Sequence, residues 1–166
     1  RLEDSSIMVG KIRAAKEQNK KEGFAVIART ESLIQGHGLE VALERARAYT
    51  DAGCDGFLIH NKNENPNEVL EFADRYHNAG IVTPLVIVPT TYNQITKQQM
   101  ATAGISLAIY ANYSVRAVVK VLQEMFTNII ESETLSSAND MVVPMQTIFD
   151  LICVEELKEN QEKYGS

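Results

Sequence analysis

The sequence predicts an α/β fold built on a parallel sheet, and three observations predict it. Four short runs, residues 24–30, 56–60, 83–89 and 105–111, are β-branched or continuously apolar, as strands buried on both faces of a parallel sheet are. Each run follows a glycine, and Gly23, Gly53, Gly80 and Gly104 recur at intervals of 30, 27 and 24 residues, room for one strand, one helix and short loops. The segments between the runs read as helices, several with apolar residues at steps of three and four.

Taken in order, a first helix spans about residues 4–18, with Asp4 or Ser5 able to cap it. The charged run 16–22 reads as its solvated end. After the first strand, Gly36-His37-Gly38 is too short for a phosphate loop and shapes the turn into a helix over 39–52, where Leu39, Leu43, Ala46 and Tyr49 share a face. The helix over 66–79 aligns Val69, Phe72, Ala73 and Tyr76, with Asn65 as N-cap and Pro66 at the first helical position. Three of the four glycines sit in Ala-Gly pairs, which suit helix C-termini because glycine accepts positive φ. The helix over 114–130 carries a wide stripe of Val118, Val121, Leu122, Met125 and Ile129. Strict alternation argues for right-handed crossovers between parallel strands. Four such units make half of an eight-stranded barrel or a small open sheet complete in itself.

Beyond Ile130 the pattern changes, so the expected division is residues 1–130 and residues 131–166. Residues 131–141 are polar and loop-like, and helical pieces follow at about 145–152 and 154–163. Phe149, Leu151, Ile152 and Leu157 give this arm apolar surface, to fold back on its own core or to dock on a neighbouring subunit.

The chain has 166 residues, enough to bury a core, and a net charge of −6, which argues against nucleic acid or an anionic membrane as partner. No apolar run reaches the length of a membrane span, and the first ten residues carry no apolar signal core. Cys54 and Cys153 form no zinc-like cluster and read as free thiols of a reducing cytoplasm.

Parallel α/β folds gather their chemistry at the C-terminal ends of the strands. There the sequence places Arg29 and Glu31, then His60, Asn61 and Lys62, then Thr90 and Thr91, then Tyr110 and Asn112. An arginine and a histidine on one rim suit a phosphoryl or carboxylate ligand, since both donate charged hydrogen bonds to oxyanions. Each also has a structural role open to it. Arg29 could pair with a carboxylate, Glu31 could balance Arg29, His60 could be a satisfied core residue, and Asn112 could cap the next helix. No residue pair has metal-ligand spacing of the H-x-x-x-H kind, and no Ser-His-Asp order stands out.

Residues 25–33 (AVIARTESL), Gly36-His37-Gly38-Leu39 with residues 42–46, residues 52–60 (AGCDGFLIH), 86–90 (VIVPT) and 108–117 (AIYANYSVRA) stand in a characteristic order. The tail, from Ile148-Phe149 through Glu155-Glu156-Leu157 to Lys163-Tyr164, continues it. Together they closely resemble the phosphoenolpyruvate mutase branch of the phosphoenolpyruvate mutase and isocitrate lyase superfamily. The resemblance implies a (β/α)8 TIM barrel, of which this chain carries about four C-terminal βα units plus the helical arm. It implies a homo-oligomer, dimer or tetramer, whose last helix packs on a partner subunit. It implies a Mg²⁺-dependent isomerase acting on a small acid, interconverting phosphoenolpyruvate and phosphonopyruvate in phosphonate biosynthesis. Arg29 and His60 fall where the family's phosphoryl-contacting arginine and histidine stand, which makes them the catalytic and substrate-binding candidates. Glu31 and Asn112 are further substrate-binding candidates on the same rim. The family's aspartate-rich Mg²⁺ site and gating loop lie upstream of the match, so the expectation is a segment of a longer protein with its metal ligands outside these residues. The competing readings are phosphonopyruvate hydrolase or another lyase of the superfamily, and a non-catalytic half-barrel module.

Overall fold

A computed structural model describes residues 2–19 and 23–165, so residues 20–22 of the charged run lie outside the described residues. The chain divides into two compact units, residues 1–111 and 112–166. The helix expected at the end of the first segment therefore groups with the C-terminal residues.

The first unit alternates helix and strand: α1 (Ser5–Gln18), β1 (Ile27–Thr30), α2 (Gly38–Asp51), β2 (Gly56–Ile59), α3 (Asn67–Asn78), β3 (Leu85–Ile87), α4 (Lys97–Thr102) and β4 (Ile105–Ala108). The strands form one parallel sheet in the order β1-β2-β3-β4. Side chains alternate across it. On the helix-covered face, Ala28, Phe57, Ile59, Leu85 and Ile87 are fully buried with Tyr49 of α2 and Val69, Phe72 and Tyr76 of α3. Phe57 is the centre of this layer, with ring centroids 6.1 Å from Tyr49, 6.0 Å from Phe72 and 5.9 Å from Tyr76. Burying one such aromatic contributes about 1.5–3 kcal/mol, and offset rings add to it. On the other face, Arg29, Leu58, Val86 and Leu107 stand in register as one row. Leu58 and Val86 are buried there, whereas Leu107 and Ile27 are exposed.

Helix ends match the local chemistry. Asp4 caps α1 by accepting from the Ser6 N–H at 2.8 Å. Asn65 Oδ1 accepts from the Asn67 N–H at 2.9 Å while Pro66 already has helical dihedrals, so Asn65 acts as the cap and Pro66 opens α3. Helix α4 has only six residues, too few for a periodic apolar signal, and is held by a reciprocal capping box between Thr96 and Gln99. Gly53 and Gly80 close α2 and α3 at φ 93° and 74°. The next N–H groups, of Cys54 and Ile81, reach back to the carbonyls of Tyr49 and Tyr76, the Schellman arrangement that turns the chain towards the following strand.

Two polar contacts place the strands and their loops. Asp55, just before β2, accepts from Lys16 Nζ of α1 at 2.8 Å through both carboxylate oxygens, and from the Val26 N–H at 2.7 Å. Those bonds, Lys16 first, hold its carboxyl below the ordinary value. At the opposite end of β2, Asn61 is 2% exposed. Its amide donates to Glu68 of α3 at 2.6 Å, its Oδ1 accepts from the Asn63 N–H, and its carbonyl accepts from Thr91 Oγ1 at 3.1 Å. The loops after β2 and β3 are thus joined through the Asn61 main-chain carbonyl, while its side chain ties the first of them to α3.

In the second unit, α5 (Tyr113–Ser132) leads into a 3-10 helix (Leu135–Met141), then α6 (Met145–Leu151) and α7 (Val154–Tyr164). The segment expected as loop is wound because its small polar side chains bond locally: Thr134 Oγ1 accepts from the Ser136 N–H, and Ser132 and Ser137 hydroxyls lie 2.8 Å apart. Glu155 and Glu156 in the first turn of α7 and Lys163 in its last complement the helix dipole. No described residue of α5 is buried, and Val118, Val121 and Leu122 of its apolar stripe are exposed, as are Leu151, Ile152 and Leu157.

Two outcomes test these contacts. A carboxyl with a depressed folded value stabilises above its unfolded value and loses that contribution as pH falls through the folded one. The deficit of Asp55→Asn in thermal unfolding is therefore largest near neutrality and shrinks below about pH 4; a pH-independent deficit contradicts the assignment. Because the pair is partly exposed, screening holds its worth to about 1 kcal/mol or less. Asn61→Ala, which removes the side-chain bonds to Glu68 and to the Asn63 N–H but keeps the main-chain bond from Thr91, lowers stability by about 1–3 kcal/mol, read as a lower urea midpoint at constant slope. An unchanged midpoint would show that the Asn61 side chain does not hold the loop after β2 to α3.

Candidate active site

The site begins with the strand period. At the end of β1, Thr30 and Ser32 turn inward, 2% and 0% exposed, with their hydroxyls 2.7 Å apart. The alternate residues, Arg29 and Glu31, therefore share the outward direction. Parallel register sets Thr30 beside Ile59, so Glu31 and His60 follow on neighbouring chains. The side chains meet there. Arg29 Nε donates to Glu31 Oε1 at 2.5 Å, Arg29 Nη2 lies 2.7 Å from His60 Nδ1, and Glu31 Oε2 lies 3.5 Å from the same ring nitrogen.

Three of the four sequence candidates, Arg29, Glu31 and His60, thus come together. Both roles open to Arg29 and Glu31 are present at once: they pair with each other and stand at the strand ends. Asn112 belongs to the second unit, where it precedes α5 in the left-handed region at φ 65° and makes no side-chain cap bond. The role of capping that helix through its side chain is therefore not the one it takes.

The trio stays partly open. Side-chain exposure is 47% for Arg29, 35% for Glu31 and 23% for His60, enough for a ligand to reach all three. A cavity of about 230 Å³ opens beside Arg29 and Glu31, with Thr30, Gln35, Arg45 and Tyr49 among its walls. A larger one, about 600 Å³, lies between α3 and α4 against Leu70, His77, Gln99 and Gly104 and includes none of the sequence's site candidates. The arrangement can do one thing well chemically: present fixed N–H donors, one of them cationic, to an oxyanion. Among the described residues, no group of three or more His, Cys, Asp or Glu side chains is placed to hold a metal ion. No helix among them is long and apolar enough to cross a membrane.

Sequence reasoning missed the supports. The Thr30–Ser32 hydroxyl pair was signalled only by polar residues at alternate positions of an apolar run. Asn61 was visible as a rim residue, but its bonds to Glu68 and Thr91 depend on how two loops approach in space.

Residues 1–130 match the family profile of phosphoenolpyruvate phosphomutase. The chain is 37% identical over 156 residues to a phosphoenolpyruvate phosphomutase of Tetrahymena pyriformis, covering 94% of this chain and 51% of that protein. Its fold superposes on a solved phosphoenolpyruvate phosphomutase of Streptomyces platensis subsp. rosaceus with a TM-score of 0.92 at 36% identity, covering 100% of this chain and 57% of the other. It also superposes on a phosphonopyruvate hydrolase solved with oxalate and Mg²⁺, with a TM-score of 0.90 at 32% identity over 99% of this chain and 58% of that one. The chain spans about half the length of these relatives. Its α/β fold, four parallel βα units with a helical C-terminal segment, is that of the superfamily's barrel-type proteins. On sequence and on structure alike, the chain belongs to the phosphoenolpyruvate phosphomutase family.

Proposed function

We propose that the protein works as a phosphoenolpyruvate mutase, interconverting phosphoenolpyruvate and phosphonopyruvate. The observation that carries the reading is the meeting of Arg29 and His60 at adjacent strand ends, 2.7 Å apart. Moving a phosphoryl group between oxygen and carbon spreads negative charge over its oxygens, and little covalent work is left for the protein beyond holding that charge. Arg29 carries a permanent positive charge on a planar fork suited to phosphoryl oxygens, and His60 adds a second donor from the next strand. Glu31 holds Arg29 in place. Asn112, which follows β4, is proposed as a further substrate contact.

The relative solved with oxalate, an enolate mimic, and Mg²⁺ supports a Mg²⁺ requirement here. The described residues do not fit such a site, since they bring no acidic cluster together. The ligands would come from the part of the family fold that these residues do not supply. The proposed organisation is a half-barrel over residues 1–130 and a loop and helical arm over 131–166. The free thiols of Cys54 and Cys153 accord with a cytoplasmic enzyme.

Phosphonopyruvate followed by ³¹P NMR with Mg²⁺ tests the activity. A phosphoenolpyruvate signal supports the mutase, inorganic phosphate assigns the hydrolase instead, and unchanged substrate together with failure to bind Mg²⁺ or oxalate argues for a non-catalytic module. In the active protein, Arg29→Ala lowers turnover by about 100-fold or more with little change in melting temperature, since this exposed cation supports charge more than packing. Normal turnover, or an unfolded variant, contradicts the role.

The exposed Leu151, Ile152 and Leu157 of the arm support a second copy of the chain as its partner. Leu151→Glu with Ile152→Glu then lowers the mass seen by sedimentation; an unchanged mass removes these residues from the interface.

A further inference from the structure

We infer that His60 acts as a neutral hydrogen-bond donor whose tautomer is set by Arg29, and that Glu31 is the positioning residue that holds Arg29 to this task. The inference rests on the reading of Arg29 and His60 as ligand-binding groups and adds the protonation state in which they work.

A guanidinium has five N–H donors and no acceptor. Arg29 Nη2 lies 2.7 Å from His60 Nδ1, so that nitrogen must offer its lone pair. In a neutral ring the single proton then sits on Nε2. Glu31 Oε2 also approaches Nδ1, at 3.5 Å, and a bond there would need the proton on Nδ1. The two contacts cannot hold together. The shorter one, to a partner that can only donate, decides. Protonating the ring would set Nδ1–H against an N–H of Arg29 and break the contact.

Glu31 enters through its other oxygen. Oε1 accepts from Arg29 Nε at 2.5 Å, which fixes the plane of the fork and turns Nη2 onto the imidazole. The order of control runs from carboxylate to guanidinium to ring. The trio uses two of the five N–H groups of Arg29 and leaves the Nη1 amino group and one Nη2 proton for an anion. His60 adds Nε2–H. A phosphoryl group would therefore meet donors from two adjacent strands, and His60 would hold charge without passing a proton to the substrate.

Long-range ¹H–¹⁵N correlation of the ring nitrogens in the intact protein, without substrate and at the pH of the activity assay, tests this. The chain has three histidines, so a His60→Gln variant assigns the signals. The expected pattern is a protonated Nε2 and an unprotonated Nδ1; a protonated Nδ1, alone or in an imidazolium, overturns the inference. In Glu31→Ala the ring should divide between tautomers, and kcat should fall about 10- to 100-fold with KM changed less than about threefold. Glu31→Gln, whose amide oxygen can still accept from Arg29 Nε, should restore the tautomer and most of the turnover. If Glu31→Ala keeps the wild-type pattern and rate, Glu31 does not position Arg29. If Gln is as impaired as Ala, the negative charge itself is required and the positioning role is wrong. Because the ring state is read without substrate, its failure is distinct from a failure of the mutase assignment, which the phosphorus spectrum alone decides.

Discussion

The aromatic layer around Phe57 is the constraint on which the rest of the first unit depends. One ring on the second strand touches Tyr49 of α2 and Phe72 and Tyr76 of α3, and all four are buried. Close packing of this kind leaves no freedom to slide a strand by one residue, because a slip would turn Phe57 to the opposite face and Leu58 into its place. Fixing Phe57 fixes Ile59 on the same face and places His60 beyond it. The chemistry at the strand ends thus inherits its precision from an apolar contact in the middle of the sheet.

From that layer outward, polar groups take over. The buried Thr30–Ser32 pair sets the direction of Arg29 and Glu31, and Asn61 sets the loop that follows His60. Asp55 does the corresponding work at the other end of β2, where it draws α1 and the approach to β1 together. These bonds lie at the two ends of the strands, where backbone pairing stops and side chains must supply partners instead. The site residues are held by well-bonded neighbours while they themselves stay open to a ligand.

Much of this was legible in the sequence, for physical reasons. Strand positions were carried by apolar runs after glycine, and helix ends by Asp4, Asn65-Pro66 and the Ala-Gly pairs, because caps are local chemistry. Arg29, Glu31 and His60 could be found because strand ends locate chemistry in parallel folds. What was not legible depends on distant partners. Six residues of α4 are too few for a period to register. The 3-10 helix is set by hydroxyl bonds that a polar composition does not specify. The stripe on α5 states that a face exists, not what covers it, and in the structure its valines are exposed.

The sheet itself has a property that its side chains conceal. Among the described residues, strands β1 and β4 are the outer members of the order β1-β2-β3-β4, so each turns one row of backbone N–H and C=O groups away from any strand partner. Beside those rows stand Ile27 and Leu107, apolar and exposed. An edge of this composition is a template for any extended chain, including a misfolded copy of itself. In a closed barrel such rows meet further strands, so the two edges are where the remaining strands of a barrel-type fold would pair with these four.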